Sequence, residues 1–209
     1  MDTARKYVSP TREADAAATR ARIVDAAARL FVRDGFAATP LRAIAVEAGV
    51  SVQSVHLAGP KSALLLAAFE RTFAGDEGRH PLSERPGMSA ILAEPDIATM
   101  LSLYVAFIAA ANERSAPIWT ALVAAADADE QARAAAADLE ARRRGEMTGG
   151  AQLLLSRGLV TPESVAETAD VLGFLTAPQT FVYFVIDSGW TVDRYREWVQ
   201  RGIERLVIG

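Results

Sequence analysis

Residues 39–61 read TPLRAIAVEAGVSVQSVHLAGPK and predict two short helices joined by a tight turn. From Leu41 onward, apolar residues recur at i, i+3, i+4 and i+7, the spacing of one helix face. Thr39 suits the N-cap of this first helix, and Pro40 suits its first position, where a missing N–H is harmless. Gly49 stands where a helix ends in the left-handed conformation. The stretch therefore predicts a capped helix that ends in a glycine turn.

The residues after the turn predict a second helix over 51–58. Ser51 is a good N-cap, and Val50 and Val55 have the spacing of a hydrophobic staple. Helix, glycine turn and short helix make up the helix-turn-helix pattern. The outer surface of the second helix would then be formed by Val52, Gln53, Ser54 and His56. A recognition helix places such side chains against base edges in the major groove, although a helical corner in another all-α protein has the same spacing.

Four linked motifs surround this pattern: RIVDAAARLFVRDGF, T-x-x-R-x-I-A, the A-G-V-S turn, and a Lys just before an A-L-L run. Together they occupy residues 19–70 and resemble the N-terminal DNA-binding domain of TetR-family transcriptional regulators. The rest of the chain resembles that family only in layout.

The resemblance implies an all-α fold with an N-terminal three-helix helix-turn-helix domain and a C-terminal helical ligand-binding and dimerisation bundle. It implies a homodimer, usually a repressor, whose partners are a palindromic double-stranded DNA operator and an unidentified small-molecule effector. It also implies that Thr39, Arg42 and Lys61 contact backbone phosphates, which position a protein without reading sequence. A solvated Lys61 remains the alternative.

The chain departs from the family at the end of the recognition helix. Family members usually carry an aromatic pair there. Here His56 replaces the first aromatic, and Ala58 runs directly into Gly59-Pro60-Lys61. His56 could still donate to a phosphate, but the shortened link could tilt or loosen the helix. The alternative function is therefore a helical small-molecule-binding dimer with weakened or lost DNA binding.

Charge is divided unevenly along the chain. Residues 1–61 hold nine Lys and Arg against six Asp and Glu, whereas the whole chain of 209 residues has a formal net charge of −4. A mildly basic head on an acidic body suits DNA binding by one end. Zero cysteines exclude disulfides and fit a reducing cytoplasm. No signal peptide or long apolar span is evident, so we expect a soluble cytoplasmic protein, nucleoid-associated when bound to DNA and without membrane contact.

The sequence predicts three regions: a flexible arm (1–19), a helix-turn-helix domain (20–74) and a helical body (75–209). Ser9-Pro10 could instead begin the first helix early. That helix is otherwise expected from about Arg20 to Asp34, with Phe36 contacting Phe31 after Gly35. Residues 74–90 are rich in Gly and Pro and predict a loop. Body helices are expected at roughly 96–112, 116–127, 129–156, 163–187 and 192–208. Pro117 and Pro162 fall near starts, with Ser115 and Thr161 as the expected caps.

The body contains two candidate functional sets, each with ordinary core packing as the alternative. An apolar pocket with a few polar anchors would suit an effector, and its candidate residues are Met100, Tyr104, Phe107, Trp119, Met147, Phe174, Gln179 and Tyr183. Thr176 is a further anchor. A four-helix dimer interface from the last two helices would use Phe181, Tyr195, Trp198, Ile203 and Leu206. Arg142–Arg144 are expected on a solvated face.

An enzyme is not expected. The sequence has no Gly-rich phosphate loop, no H-E-x-x-H, no nucleophile elbow and no Cys. Ser54 and His56 lie two apart on one helix and so do not face each other. We predict no catalytic residue, no metal site and no cofactor.

Overall fold

The structure is a computed structural model that describes residues 10–78 and 80–209. The described residues are all-α, without a strand. Their helices in chain order are α1 (Pro10–Asp34), α2 (Leu41–Ala48), α3 (Val52–Ala58), α4 (Lys61–Ala74), α5 (Pro86–Leu92), α6 (Ile97–Ala128), α7 (Glu130–Ser156), α8 (Val165–Leu175), α9 (Pro178–Phe181) and α10 (Val192–Ile203). Short 3₁₀ turns lie at Leu82–Glu84 and Pro162–Ser164, and wider π-turns continue α9 over Val182–Asp187 and α10 over Glu204–Ile208.

Helices α1 to α4 form the head. Ile23, Phe31, Ile44, Val55 and Leu64 are almost completely buried, and they join the four helices in one apolar cluster. This cluster continues into α6 and α7 through partly or fully buried residues there, so the head and body share packing. The expected contact between Phe31 and Phe36 is present, with ring centroids 5.5 Å apart.

The first helix is longer than expected. It begins at Pro10, not near Arg20, so residues 10–19 are helical and the alternative start at Ser9-Pro10 describes the chain better. Proline suits this position because its fixed φ fits a first helical turn. Residues 1–9 of the expected arm lie outside the described residues.

Pro117 lies inside α6 and does not begin a new helix, so the predicted break at 112–116 is wrong. Ser115 is also not a cap: its hydroxyl donates to the carbonyl of Ala111 at 2.8 Å. Proline removes one intrahelical hydrogen bond, but Ile118 and Leu122 beyond it are buried in the head cluster. Tertiary packing of its apolar face therefore stabilises α6 as one continuous helix despite the proline.

The predicted helix 163–187 is interrupted between α8 and α9. The last carbonyls of a helix lack intrahelical partners, and here five side chains supply them. Donors and acceptors pair as Thr176 Oγ1 with Leu172 O, Arg143 Nη2 with Gly173 O, Thr180 Oγ1 with Phe174 O, Tyr195 Oη with Leu175 O, and Asn112 Nδ2 with Thr176 O. Side chains from α6, α7, α9 and α10 thus bond the carbonyls at the end of α8. At Pro162, by contrast, the expected cap is present as a capping box of Thr161 and Ser164.

A short segment crosses the body between α4 and α5. We call Gly78 with residues 80–85 the strap. Two carboxylates hold its backbone: Glu70 Oε2 accepts the Gly78 N–H at 3.0 Å, and Glu146 Oε1 accepts the Leu82 N–H at 2.7 Å. The predicted loop 74–90 is therefore partly helical and bonded to the body.

Among the described residues, no single helix is both long and apolar enough to cross a membrane. Pro162–Leu175 and Pro178–Asp187 together satisfy the length and composition test, but they are bent 44° apart at the break.

Candidate nucleic-acid interface and body cavity

The turn between α2 and α3 has the geometry that the sequence predicts. Gly49 has φ 64°, and the Val50 N–H donates to the Ala45 carbonyl at 3.0 Å. Ser51 Oγ accepts the N–H of Ser54 at 3.0 Å and so caps α3. The turn and the cap set the direction of α3, which has only two turns and cannot hold itself.

Burial divides the side chains of α3 into two sets. Val55 is fully buried in the head cluster, whereas Val52, Gln53 and His56 are exposed. Gln53 and His56 make no hydrogen bond to other described residues, so their polar groups are free for a ligand. Ser54 differs, because its hydroxyl lies 2.9 Å from that of Ser51. The outer surface of α3 therefore presents one amide and one imidazole beside small apolar groups.

Two of the expected phosphate ligands are turned inward. Thr39 is buried, and its hydroxyl donates to the Gly35 carbonyl at 2.7 Å; Pro40, not Thr39, is the N-cap of α2. Lys61 Nζ donates to the Phe36 carbonyl at 2.8 Å and lies 4.1 Å from the centre of the Phe36 ring. Both side chains donate to backbone carbonyls of the loop between α1 and α2 and so stabilise that loop. An ammonium has three donors, so Lys61 keeps N–H groups for another partner.

Arg42 is the expected phosphate ligand that the structure leaves open. Its side chain is exposed on α2 and has no hydrogen bond or ion pair among the described residues. An unpaired guanidinium beside the turn can bind a phosphate with two hydrogen bonds.

One exposed residue of α3, a leucine, was not predicted from the sequence. Leu57 is 82% exposed. It follows the buried Val55 by two positions, which places it on the opposite side of a helix. That spacing was the signal that could have identified it.

The body contains a cavity of about 430 Å³ beneath the strap. Its walls come from α4, α6 and α7, with Thr176 and Pro178 at the break closing one side. A second cavity of about 180 Å³ lies next to it, and the two share Leu82, Glu146 and Met147 in their walls. The larger cavity has a size and a position between helices at which proteins bind small molecules, and the smaller one would extend it.

Three of the eight predicted pocket residues line these cavities: Met100, Tyr104 and Met147, joined by Thr176. Phe174 and Tyr183 are wrong, because they are 64% and 60% exposed. Gln179 is also exposed. Phe107 and Trp119 line neither cavity; Trp119 instead packs on Phe69, with ring centroids 5.5 Å apart.

The charged residues that line the larger cavity were not among the predicted pocket residues. Arg142 was expected on a solvated face, but its Nη2 lies 2.6 Å from Glu70 Oε1. Arg143 bonds to Gly173, and only Arg144 is largely solvated. These pairings join α7 to α4 and α8, residues far apart in sequence, so helical spacing alone carried no signal for them.

The predicted dimer residues lie mostly inside the protomer. Phe181, Tyr195 and Ile203 are almost completely buried, which contradicts their assignment to an interface. Trp198 is partly buried, with its ring 4.6 Å from that of Phe184. Only Leu206, at 67% exposure, is open. Apolar spacing on the last helix thus marked the core and not the outer face.

Two tyrosines carry their hydroxyls into the body. Burial raises the pKa of Tyr104, and a hydrogen bond with Thr176 acts in the opposite direction. Burial likewise raises the pKa of Tyr195, against a smaller effect of Asn112. Both phenols are therefore neutral near pH 7.

The chain matches known proteins at two levels. Residues 23–68 match the family model described as bacterial regulatory proteins, tetR family. No protein of curated function matches the chain significantly. Three solved structures share its fold over most of its length.

The first is a protein described as a transcriptional regulator from Pseudomonas aeruginosa PAO1, with TM-score 0.69, 19% identity, and coverage of 95% of this chain and 92% of the other. The second is described as a TetR-family transcriptional regulator from Mesorhizobium loti MAFF303099, with TM-score 0.68, 20% identity, and coverage of 90% and 95%. The third is described as a transcriptional regulator from Saccharomonospora viridis in complex with choline, with TM-score 0.66, 19% identity, and coverage of 92% and 98%.

The structural likenesses establish the fold, and the family match covers α2, α3, the second half of α1 and the first half of α4, which build the exposed surface described above. Residues 23–68 therefore match the tetR family of bacterial regulatory proteins, and the chain as a whole shares the fold of the solved structures above.

Proposed function

We propose that this regulator binds a palindromic operator as a homodimer and releases it when a small molecule occupies the body cavity, so that it acts as a ligand-responsive repressor in the cytoplasm. The observation that carries the proposal is the division of α3 into a buried side at Val55 and an open side with Gln53 and His56. A capped helix that leaves its N-terminal side free can enter the major groove.

Individual roles follow from the exposed groups. Gln53 would bond adenine through its amide, and Val52 would pack against a thymine methyl. The hydroxyls of Ser51 and Ser54 are hydrogen-bonded to each other. They would therefore orient α3 in the free protein and contact DNA in addition. Arg42 would bind a phosphate directly, and His56 would donate to the backbone. Phosphate contacts by Lys61 and Thr39 remain predictions that need these side chains to reach past their present partners.

The effector would occupy the larger cavity and extend towards the smaller one. The smaller cavity is lined by Met88, Met100 and Met147 among leucines. Methionine adapts its shape to a guest, which suits an apolar ligand segment. The neighbouring protein from Saccharomonospora viridis holds choline, so a small molecule in a regulator of this fold has a precedent.

Dimerisation would use exposed apolar groups near the C-terminus. Phe174, Tyr183, Ile186 and Leu206 are each at least 60% exposed and fall on α8 and on the turns that continue α9 and α10. Large exposed apolar side chains concentrated in one part of a chain mark an interaction surface. Burying them against a second copy would give a symmetric interface.

Operator release needs only two conformers with different head spacing. Half-sites one helical turn apart require the two α3 helices to lie about 34–36 Å apart. An effector that prefers a conformer with another spacing weakens binding by its differential affinity, typically about 1–3 kcal/mol.

Fluorescence anisotropy on the purified protein tests the proposal, with DNA from its own upstream region at two salt concentrations. Tight, salt-dependent binding that resists random competitor DNA supports the operator. Weak binding that is equal on random DNA contradicts it for this region. That result would favour the small-molecule-binding dimer without DNA binding, a reading to which the inward Lys61 and the exposed Leu57 also point.

A further inference from the structure

The C-terminal end of α3 has an unusual support. The helix has only Val55 as a fully buried anchor. Its terminal carbonyl, that of Ala58, accepts a hydrogen bond from Arg20 Nη1 at 2.6 Å. A cation at this position also complements the helix dipole. Arg20 on α1 therefore holds the end at which the sequence lacks the expected aromatic residues.

The same guanidinium holds the segment after α4. Arg20 Nε donates to Glu77 Oε2 at 2.8 Å, and Nη2 lies 2.7 Å from that oxygen. The guanidinium is planar and its donors have fixed directions. A displacement of Glu77 must therefore either rotate the guanidinium, which moves Nη1 away from the Ala58 carbonyl, or break the contact with Glu77, which leaves the guanidinium without the carboxylate that orients it.

Glu77 is joined covalently to the strap. Its neighbour Gly78 lines the larger cavity and donates its N–H to Glu70 at 3.0 Å. Glu70 also lines the cavity and pairs with Arg142 of α7 at 2.6 Å. A molecule that enters the cavity must contact or displace this group. The path from the cavity wall at Gly78 to the end of α3 at Ala58 therefore runs through Glu77 and the Arg20 guanidinium alone.

We propose that Arg20 and Glu77 are positioning residues that set the orientation of α3 and transmit displacement of the strap to it. This deepens the proposed function, since it names the contacts by which an effector would act on the DNA-binding surface. Coupling of this kind requires a contiguous element that both sites bias. The strap, Glu77 and Arg20 form that element, and no change in the core of the head is required.

Hydrogen exchange on the full-length protein tests the positioning role without DNA. Arg20→Lys keeps the charge but loses the fork, and Glu77→Gln keeps the shape but loses the charge. Each should raise exchange of the amides in residues 52–58 by about tenfold, the effect of losing one charge-assisted hydrogen bond. Peptides from α1 should keep their exchange rates, which separates a local effect from general unfolding.

A second ion pair, between α1 and α4, supplies a matched control. Arg71 Nε of α4 pairs with Asp25 Oδ1 of α1 at 2.7 Å. The side chains of Arg71 and Asp25 are 33% and 48% exposed, compared with 40% and 21% for those of Arg20 and Glu77. This pair makes no contact with α3 in its hydrogen bonds. Asp25→Asn should leave exchange in α3 unchanged. An equal rise in this control, or no rise in the Arg20 variant, overturns the positioning role.

The coupling between the strap and α3 is tested by releasing the strap at Leu82, the part of it that Glu146 holds. Glu146→Ala removes the acceptor of the Leu82 N–H. It should raise exchange in α3 in the otherwise native protein and add nothing in the Glu77→Gln background. Fully additive effects would overturn the link. Because neither readout uses DNA, the proposal can fail while operator binding holds, or hold while the anisotropy test fails.

Discussion

Tyr195 Oη donates to the carbonyl oxygen of Leu175 at 3.3 Å and so joins α10 to the break after α8. The phenol is completely buried, and its ring meets that of Phe181 edge to face at 5.1 Å. Together with Asn112, it supplies partners for carbonyls that the helix break would leave unpaired. This junction lies behind the cavity wall and determines how the body responds to alkali.

Alkaline pH should destabilise the protein through this tyrosine. Burial raises the pKa of Tyr195 above its ordinary value of 10.0, so the folded state keeps the proton to higher pH than the unfolded chain does. The sign follows: the stability is present below about pH 10 and is lost as pH rises above it. Urea unfolding between about pH 8 and pH 11 should show a decline that Tyr195→Phe makes shallower. An equally steep decline in the variant would contradict the assignment.

Gln53→Ala should relax sequence preference at one or two base pairs. The amide is exposed and unbonded on α3, so its removal loses a base contact worth about 1–3 kcal/mol on the true site. Anisotropy on the operator and on random DNA checks this. An equal loss on both sequences would show that Gln53 does not read a base.

Arg42→Ala and Lys61→Ala should differ in their side effects. Each should weaken all sequences alike and reduce the salt slope by roughly one unit if the side chain contacts a phosphate. Lys61→Ala should in addition lower the free energy of unfolding by about 1 kcal/mol, because the Phe36 carbonyl loses its donor. A variant of Lys61 with lower stability and an unchanged slope would refute its phosphate contact.

Gly202→Ala should destabilise the body. A Cβ at Gly202 would lie 2.9 Å from Leu175 Cδ2, and Leu175 is buried and has little room to move. Overpacking of this kind costs about 1–3 kcal/mol. At Gly145, a helical position where a Cβ meets nothing within 4 Å, the same substitution should stabilise by about 0.5–1 kcal/mol. Thermal unfolding of the two variants checks the contrast, and equal shifts would contradict the close approach of α10 to α8.

Ile186→Glu should weaken the dimer. The side chain is 61% exposed on the turn that continues α9, and a buried unpaired carboxylate opposes association. Sedimentation velocity over a range of concentrations should show a larger monomer fraction than in the native protein. Val123→Glu, at an exposed apolar position on α6, is the control. If it dissociates the dimer equally, the interface lies elsewhere.

Much of the head could be predicted because its signals are local. The left-handed Gly49, the cap at Ser51 and the inward Val55 depend on residues within one or two turns of each other, and the structure has all three. The same local reasoning failed at Thr39. A threonine before proline looks like a cap, but its hydroxyl finds the carbonyl of Gly35 instead.

The body shows the limit of periodicity. Apolar spacing on the last helix identified Tyr195 and Ile203 as a buried side, yet it could not tell the protomer core from a dimer face, since both require apolar residues at helical spacing. Phe174 and Tyr183 were predicted as pocket residues for the same reason, yet both are exposed. Pro117 was expected near the start of a new helix because the loss of one hydrogen bond is a local effect, whereas the packing that outweighs it is not.

By itself, the sequence determined the all-α class, the helix-turn-helix and the residues that α3 presents, because caps, turns and helical faces depend on neighbours along the chain. Tertiary structure alone decided which apolar residues form the core, where the cavity lies, and that Arg20 joins Ala58 to Glu77. The two contacts of Arg20 link residues 38 and 57 positions apart, and only the packing of the helices brings such residues within hydrogen-bonding distance.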